Sequence, residues 1–138
     1  MIRLSSKKFS DTLLVLSLLL ILFGFLNTAH ADAEGQMWGR KAGDYYSAVI
    51  MANEFKKTPC GQYLNVPDSW ADVGYARQNI LKKLPVKYHR EFNAAFTESY
   101  ELDIRKSVRK DLYTSDKSKC KELASGVKDL IAPRIYNW

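Results

Sequence analysis

The chain of 138 residues contains two cysteines, and a bond between them would close about sixty residues into one loop. Cys60 stands in Thr58-Pro59-Cys60-Gly61-Gln62-Tyr63-Leu64-Asn65-Val66-Pro67, and Cys120 in Ser118-Lys119-Cys120-Lys121-Glu122-Leu123. An even cysteine count in a chain sent to an oxidising compartment predicts a disulfide. In the chain-entropy picture, closing a loop of that length contributes on the order of 4 kcal/mol, a large share of a small domain's net stability.

The start of the chain supports the oxidising address. Residues 1–31 carry Arg3, Lys7 and Lys8, an apolar stretch from Leu13 to Leu26, and Ala29-His30-Ala31 before Asp32. That pattern predicts a secretory signal peptide cleaved after Ala31, because the apolar run is shorter than the ~20 residues that span a bilayer. Residues 32–138 are expected to form a single helical domain in the periplasm. The first residue after the leader is not a cysteine, so no lipid anchor is expected.

Removing the leader leaves 18 basic and 14 acidic residues, a mildly basic balance. Basic residues are interleaved with acids along Glu98, Glu101, Asp103, Arg105, Lys106, Arg109, Lys110 and Asp111, as on a solvated helix face. Export and this interleaving both argue against nucleic-acid binding.

Apolar residues set the helices. Between Gly35 and Lys57, Trp38, Ala42, Tyr45, Tyr46, Val49, Ile50, Ala52 and Phe55 recur at threes and fours, which predicts a first helix. Pro59 forces Thr58 out of helical geometry, placing Cys60 just past the helix end with Gly61 free to take a left-handed turn. The loop from Thr58 to Asp68 is apolar enough at Tyr63, Leu64 and Val66 to pack back on the fold. Ser69-Trp70-Ala71-Asp72 fits a capping box for a second helix starting at Asp68 or Ser69, with Trp70, Val73, Ile80, Leu81 and Leu84 buried and Pro85 at its end.

From Val86 to Tyr113 the apolar residues Tyr88, Phe92, Phe96, Tyr100, Ile104, Val108 and Leu112 fall four apart. That spacing drifts about 40° per step around a helix of 3.6 residues per turn. Seven such residues cannot face one flat partner. Either part of the stripe leaves the core or the helix breaks, near Ser99 to Asp103. The last helix follows the cap cluster Thr114-Ser115-Asp116, carries Cys120, Leu123, Ala124, Val127, Leu130 and Ile131 on one face, and is expected to stop at Pro133. Ile135, Tyr136 and Trp138 would then fold back as a tail.

Chemistry is sparse. His89 is the sole histidine after the leader and is expected on the surface, with no second ligand to complete a metal site. No nucleophile motif, phosphate loop or zinc-binding pair occurs. Glu98 and Glu101 lie on a charged face where nothing would raise a carboxyl pKa. No catalytic residues, metal or cofactor are expected, so the chain reads as a binding protein rather than an enzyme.

Glu54-Phe55-Lys56-Lys57-Thr58-Pro59-Cys60-Gly61, Leu64-Asn65-Val66-Pro67-Asp68 and Ser118-Lys119-Cys120-Lys121-Glu122-Leu123-Ala124 together resemble the PulS/OutS-type pilotins of type II secretion and their soluble, non-lipidated members. The similarity runs from about Tyr45 to Ile131. It implies an all-α, up-and-down four-helix bundle stapled by one disulfide, Cys60 to Cys120, between the end of the first helix and the last helix. It also implies a protein partner, the C-terminal segment of an outer-membrane secretin subunit, held as a helix in a groove. The chain departs from the lipoprotein members in lacking an acylated cysteine, so it would bind as a soluble monomer without its own anchor. The surplus of apolar residues, rather than a motif, points to Tyr45, Val49, Phe92, Phe96, Tyr100 and Ile104 as the groove. The alternative function is a periplasmic inhibitor or immunity protein against a cell-wall hydrolase; a stress-activated holding chaperone is a weaker third.

Overall fold

The computed structural model describes residues 33–96 and 99–138. The chain forms two compact units, Met1–Met37 and Trp38–Trp138. The leader expected over residues 1–31 lies outside the described residues, and residues 33–37 of the first unit are helical. In the second unit, residues 38–56 form helix α1, followed by α2 (Val73–Lys83), α3 (His89–Ala95), α4 (Ser99–Asp111) and α5 (Lys117–Tyr136). Short 3-10 turns occupy Gly61–Tyr63, Asp68–Ala71 and Val86–Tyr88. Among the described residues the fold is all-helical without a strand, and no helix is long and apolar enough to cross a membrane.

Helix α1 is buried on two sides, as expected of a helix that is apolar nearly all round. Ala42, Tyr45, Tyr46, Val49 and Ile50 meet Ala76 and Ile80 of α2, Leu84 just past its end, and Phe92 of α3. On the other side Ala48, Ala52 and Phe55 meet Val108 of α4 and Ala124, Val127 and Ile131 of α5. Ile104 and Ile135 pack against both clusters. The first helix is thus the element on which the other four assemble.

The disulfide is present. Cys60 lies in the turn that leads into Gly61–Tyr63, beyond the end of α1, and Cys120 lies in the first turn of α5; their Cα atoms are 4.7 Å apart. Both residues are buried. The loop behind Cys60 packs inward, with Leu64 buried and Tyr63 and Val66 against the α4–α5 side of the core. Asn53 Nδ2 donates to the Ala71 carbonyl at 2.8 Å and Lys56 pairs with Asp68 at 3.2 Å, fastening this loop to α1.

Several local expectations are corrected. No glycine among the described residues has a positive φ, so Gly61 does not make a left-handed turn. It is required for another reason: a Cβ there would lie 2.1 Å from the Lys56 carbonyl oxygen. The second helix starts at Val73, not Asp68, because Asp72 caps it by accepting from Tyr75 N at 2.9 Å and the preceding residues tighten into a 3-10 turn. The break in the long apolar segment falls before Ser99, with Phe96 closing α3, whereas Ser99 to Asp103 is helical. Pro133 does not end α5. The ring forfeits one backbone bond, and the last turn is tied down by Ile135, partly buried against both core clusters, and by Tyr136 edge-on to Trp70, ring centroids 5.3 Å apart. The expected start of α5 holds, with Asp116 accepting from Lys119 N at 2.9 Å.

Gly61→Ala is expected to destabilise the fold by on the order of 2 kcal/mol, since the clash is with backbone that cannot swing away; thermal unfolding measures it. Reduction of the Cys60–Cys120 bond, or Cys120→Ser, should lower stability by up to about 4 kcal/mol and raise protease susceptibility. Identical melting in oxidising and reducing buffer would refute that.

Candidate functional site: an aromatic ladder and a buried carboxylate

Helix α3 is too short to bury much surface, and it is anchored mainly by Phe92. The Phe92 ring meets Tyr46 edge-on at 5.9 Å and stacks on Phe96 at 5.6 Å, and Phe96 continues to Tyr100 at 5.3 Å. These four rings climb from the core to the surface: Phe92 is 2% exposed, Phe96 half-buried and Tyr100 52% exposed. Phe96 rests on α1 at Gly39 and Gly43. A Cβ at Gly43 would approach its ring to 2.7 Å, and one at Gly39 to 3.9 Å. Two glycines one turn apart make a smooth seat on α1, and the half-buried ring fills it.

The six residues expected to form the groove divide accordingly. Tyr45, Val49 and Phe92 are core residues and present no surface to a partner. Tyr45 stacks on Trp138 at 5.0 Å and its hydroxyl accepts from Asn79 Nδ2 at 3.2 Å. Phe96 and Ile104 are half-buried, and Tyr100 is the exposed member. The four-residue drift predicts an exit from the core, and the exit is at Tyr100; by Val108 the stripe is buried again. The glycine seat was missed because Gly39 and Gly43 carry no side chain to register in a periodicity.

A polar cluster beside this ladder fixes α4 to α1. Glu54 on α1 is 2% exposed, and its carboxylate accepts from Lys57 Nζ at 2.8 Å, from Arg105 Nη1 and from Arg109 Nε at 3.3 Å. Arg105 also donates to Glu101 from two nitrogens. Burial on its own would raise the Glu54 pKa, but the hydrogen bonds and charges of Lys57 and Arg105 outweigh it and hold the carboxyl below its ordinary value. Arg105 likewise loses hydration by burial, yet Glu101 and Glu54 hold its pKa above the ordinary value. Burial raises the Tyr46 phenol, and the nearby Glu101 carboxylate adds to this. Neither cysteine pattern nor helical period singled out Glu54; its place amid Ala52, Phe55 and other apolar positions of α1 was the available signal.

Nothing here arranges a nucleophile beside a base. Among the described residues no cluster of His, Cys, Asp and Glu could hold a metal ion. His89 is half-buried rather than superficial, its Nε2 2.8 Å from the Leu84 carbonyl at the end of α2. A cleft of about 380 Å³ lined by Lys41, Asp44, Pro133, Arg134 and Asn137 mixes both charges without a convergent polar centre. Comparison of the chain with protein-family models, curated proteins and solved structures gives no match.

The carboxylate cluster carries a pH prediction. Because the folded pKa of Glu54 is depressed, its contribution is complete above the unfolded value of ~4.3 and is lost as pH falls through the lower folded value. Glu54→Gln should cost about 1–3 kcal/mol near pH 7. The gap to the unsubstituted protein should close as the pH drops below ~4 in denaturant titrations.

Proposed function

We propose that this chain is a periplasmic, pilotin-like binding protein that holds, as a monomer, the C-terminal segment of an outer-membrane secretin subunit of type II secretion. The observation that carries the reading is the ladder Phe92–Phe96–Tyr100, which leaves the core beside the glycine seat on α1. An amphipathic partner helix docks by apolar side chains at helical spacing, and such a helix needs a few rigid aromatic anchors backed by a packed core. Phe96, Tyr100 and Ile104 supply those anchors; Tyr45, Val49 and Phe92 support them from beneath. The resemblance to PulS/OutS-type pilotins supplies the partner class and the four-helix arrangement; the disulfide and the all-helical fold agree with it.

Binding is mechanical rather than catalytic in this reading. The Glu54 cluster keeps α4 on α1 and so holds Tyr100 in place relative to Phe96. A secretin C-terminal peptide titrated into the oxidised protein should bind with induced helicity. Tyr100→Ala should weaken that binding about tenfold while leaving the unfolding transition nearly unchanged, since the side chain is exposed. Absence of binding by the correctly folded protein would remove the pilotin reading.

A further inference from the structure

The charge of residues 32–138 is segregated. Residues 54–57 and 106–122 carry eight cations against four carboxylates, while the rest of that span carries ten of each. The fold brings these two stretches together. Cys60 and Cys120 are bonded, Arg109 reaches Glu54 at 3.3 Å, and the Thr114 carbonyl lies 3.5 Å and 3.7 Å from the two sulfurs. The whole cationic surplus of the span therefore collects where α1 and α4 end and α5 begins.

The carboxylates there are largely committed. Glu54 is buried under its own cations, Asp116 caps α5 and Asp111 accepts from Ser107 Oγ at 2.9 Å, which leaves Glu122 as the one exposed carboxylate of the four whose side chain has no partner among the described residues. By contrast Lys110, Lys117, Lys119 and Lys121 are exposed and make no ion pair among the described residues. Seven of the eight cations are lysines. Recognition of a carboxylate-bearing peptide in register favours the planar fork of arginine, whereas lysines are mobile point charges suited to a fluid array of phosphates. In the middle of the patch, between Lys110 and Lys117, Tyr113 is 63% exposed. An aromatic ring with a polar tip, flanked by lysines, is the side chain that settles at a headgroup boundary.

We propose that the disulfide-bonded end of the molecule, formed by Lys110, Tyr113, Lys117, Lys119 and Lys121, docks reversibly on an anionic phospholipid surface. The attraction is electrostatic, falls off within a Debye length and is sensitive to salt. It is independent of the secretin-binding reading, because it uses the far end of α4 from Tyr100.

Co-sedimentation of the processed chain, its N-terminus identified by mass spectrometry, with phosphatidylglycerol–phosphatidylcholine vesicles tests this. Binding is expected at low salt, with none to phosphatidylcholine alone and release at about 0.5 M NaCl. K117E/K119E/K121E should weaken binding at least about tenfold, and Tyr113→Ser several-fold. The equal charge change K82E/R90E/K128E, made outside the patch, should weaken it far less, and Tyr100→Ala should leave it unchanged. Circular dichroism and the intact disulfide confirm that each variant is folded. Four results would overturn the proposal: no binding to anionic vesicles, equal losses for the two triple variants, displacement by millimolar glycerol phosphate, or tighter binding to soluble polyglutamate than to vesicles.

Discussion

The covalent bond between Cys60 and Cys120 is the constraint on which the rest of the structure depends. It fastens the turn after α1 to the first turn of α5, across a sequence separation of 60 residues. Everything between them must then fit around α1. The close approach is possible because Gly61 lets the chain pass against the Lys56 carbonyl. A bulkier residue would push Cys60 outward and strain the bond that closes the loop. Leu64 and Ala71, which lie beyond Cys60, pack into the same cluster as both cysteines, so the staple and the hydrophobic core reinforce one another.

Within that closed loop α4 has little buried apolar surface to hold it. Val108 is its one fully buried residue among those described, with Ile104 and Leu112 partly covered. A helix with so narrow an apolar stripe needs another tie, and the buried Glu54 supplies it through Arg105 and Arg109. The arrangement is a costly one unless every charge is matched, since desolvating a carboxylate and a guanidinium offsets much of their attraction. Glu101 completes the matching on Arg105, and Lys57 together with Arg105 keeps the Glu54 carboxyl below its ordinary pKa despite burial.

How much of this could be seen in the residues differed by the kind of signal. The disulfide, the all-helical class, the cap at Asp116 and the burial of Leu64 followed from cysteine count, period and turn chemistry. The expectations that failed were local. Asp72 stood as the last residue of a capping box, but it caps the helix directly because a 3-10 turn absorbs Asp68 to Ala71. Pro133 carried the ordinary breaker signal, which tertiary packing of Ile135 and Tyr136 overrode. Tyr45, Val49 and Phe92 were grouped with the surface because an apolar surplus does not say which members are covered; burial on α1 decided that. The leader, the compartment and the partner rest on residues or resemblances that packing alone does not address.

The two surfaces of α4 have a geometric relation that follows from the helix itself. Tyr100 and Lys110 are ten residues apart, and at 1.5 Å per residue a helix places them about 15 Å apart along its axis. A segment docked over Phe96 and Tyr100 would therefore leave Lys110, Tyr113 and the start of α5 uncovered. The aromatic ladder depends on α4 being held at its near end by Ile104 and Arg105, and the basic patch on its far end being drawn to the disulfide through Val108 and Thr114. One short helix, tied by a carboxylate at its middle, thus orients an apolar surface and a cationic one at once. Loosening the Glu54 tie would disturb both, whereas exposed substitutions at either end act on one alone.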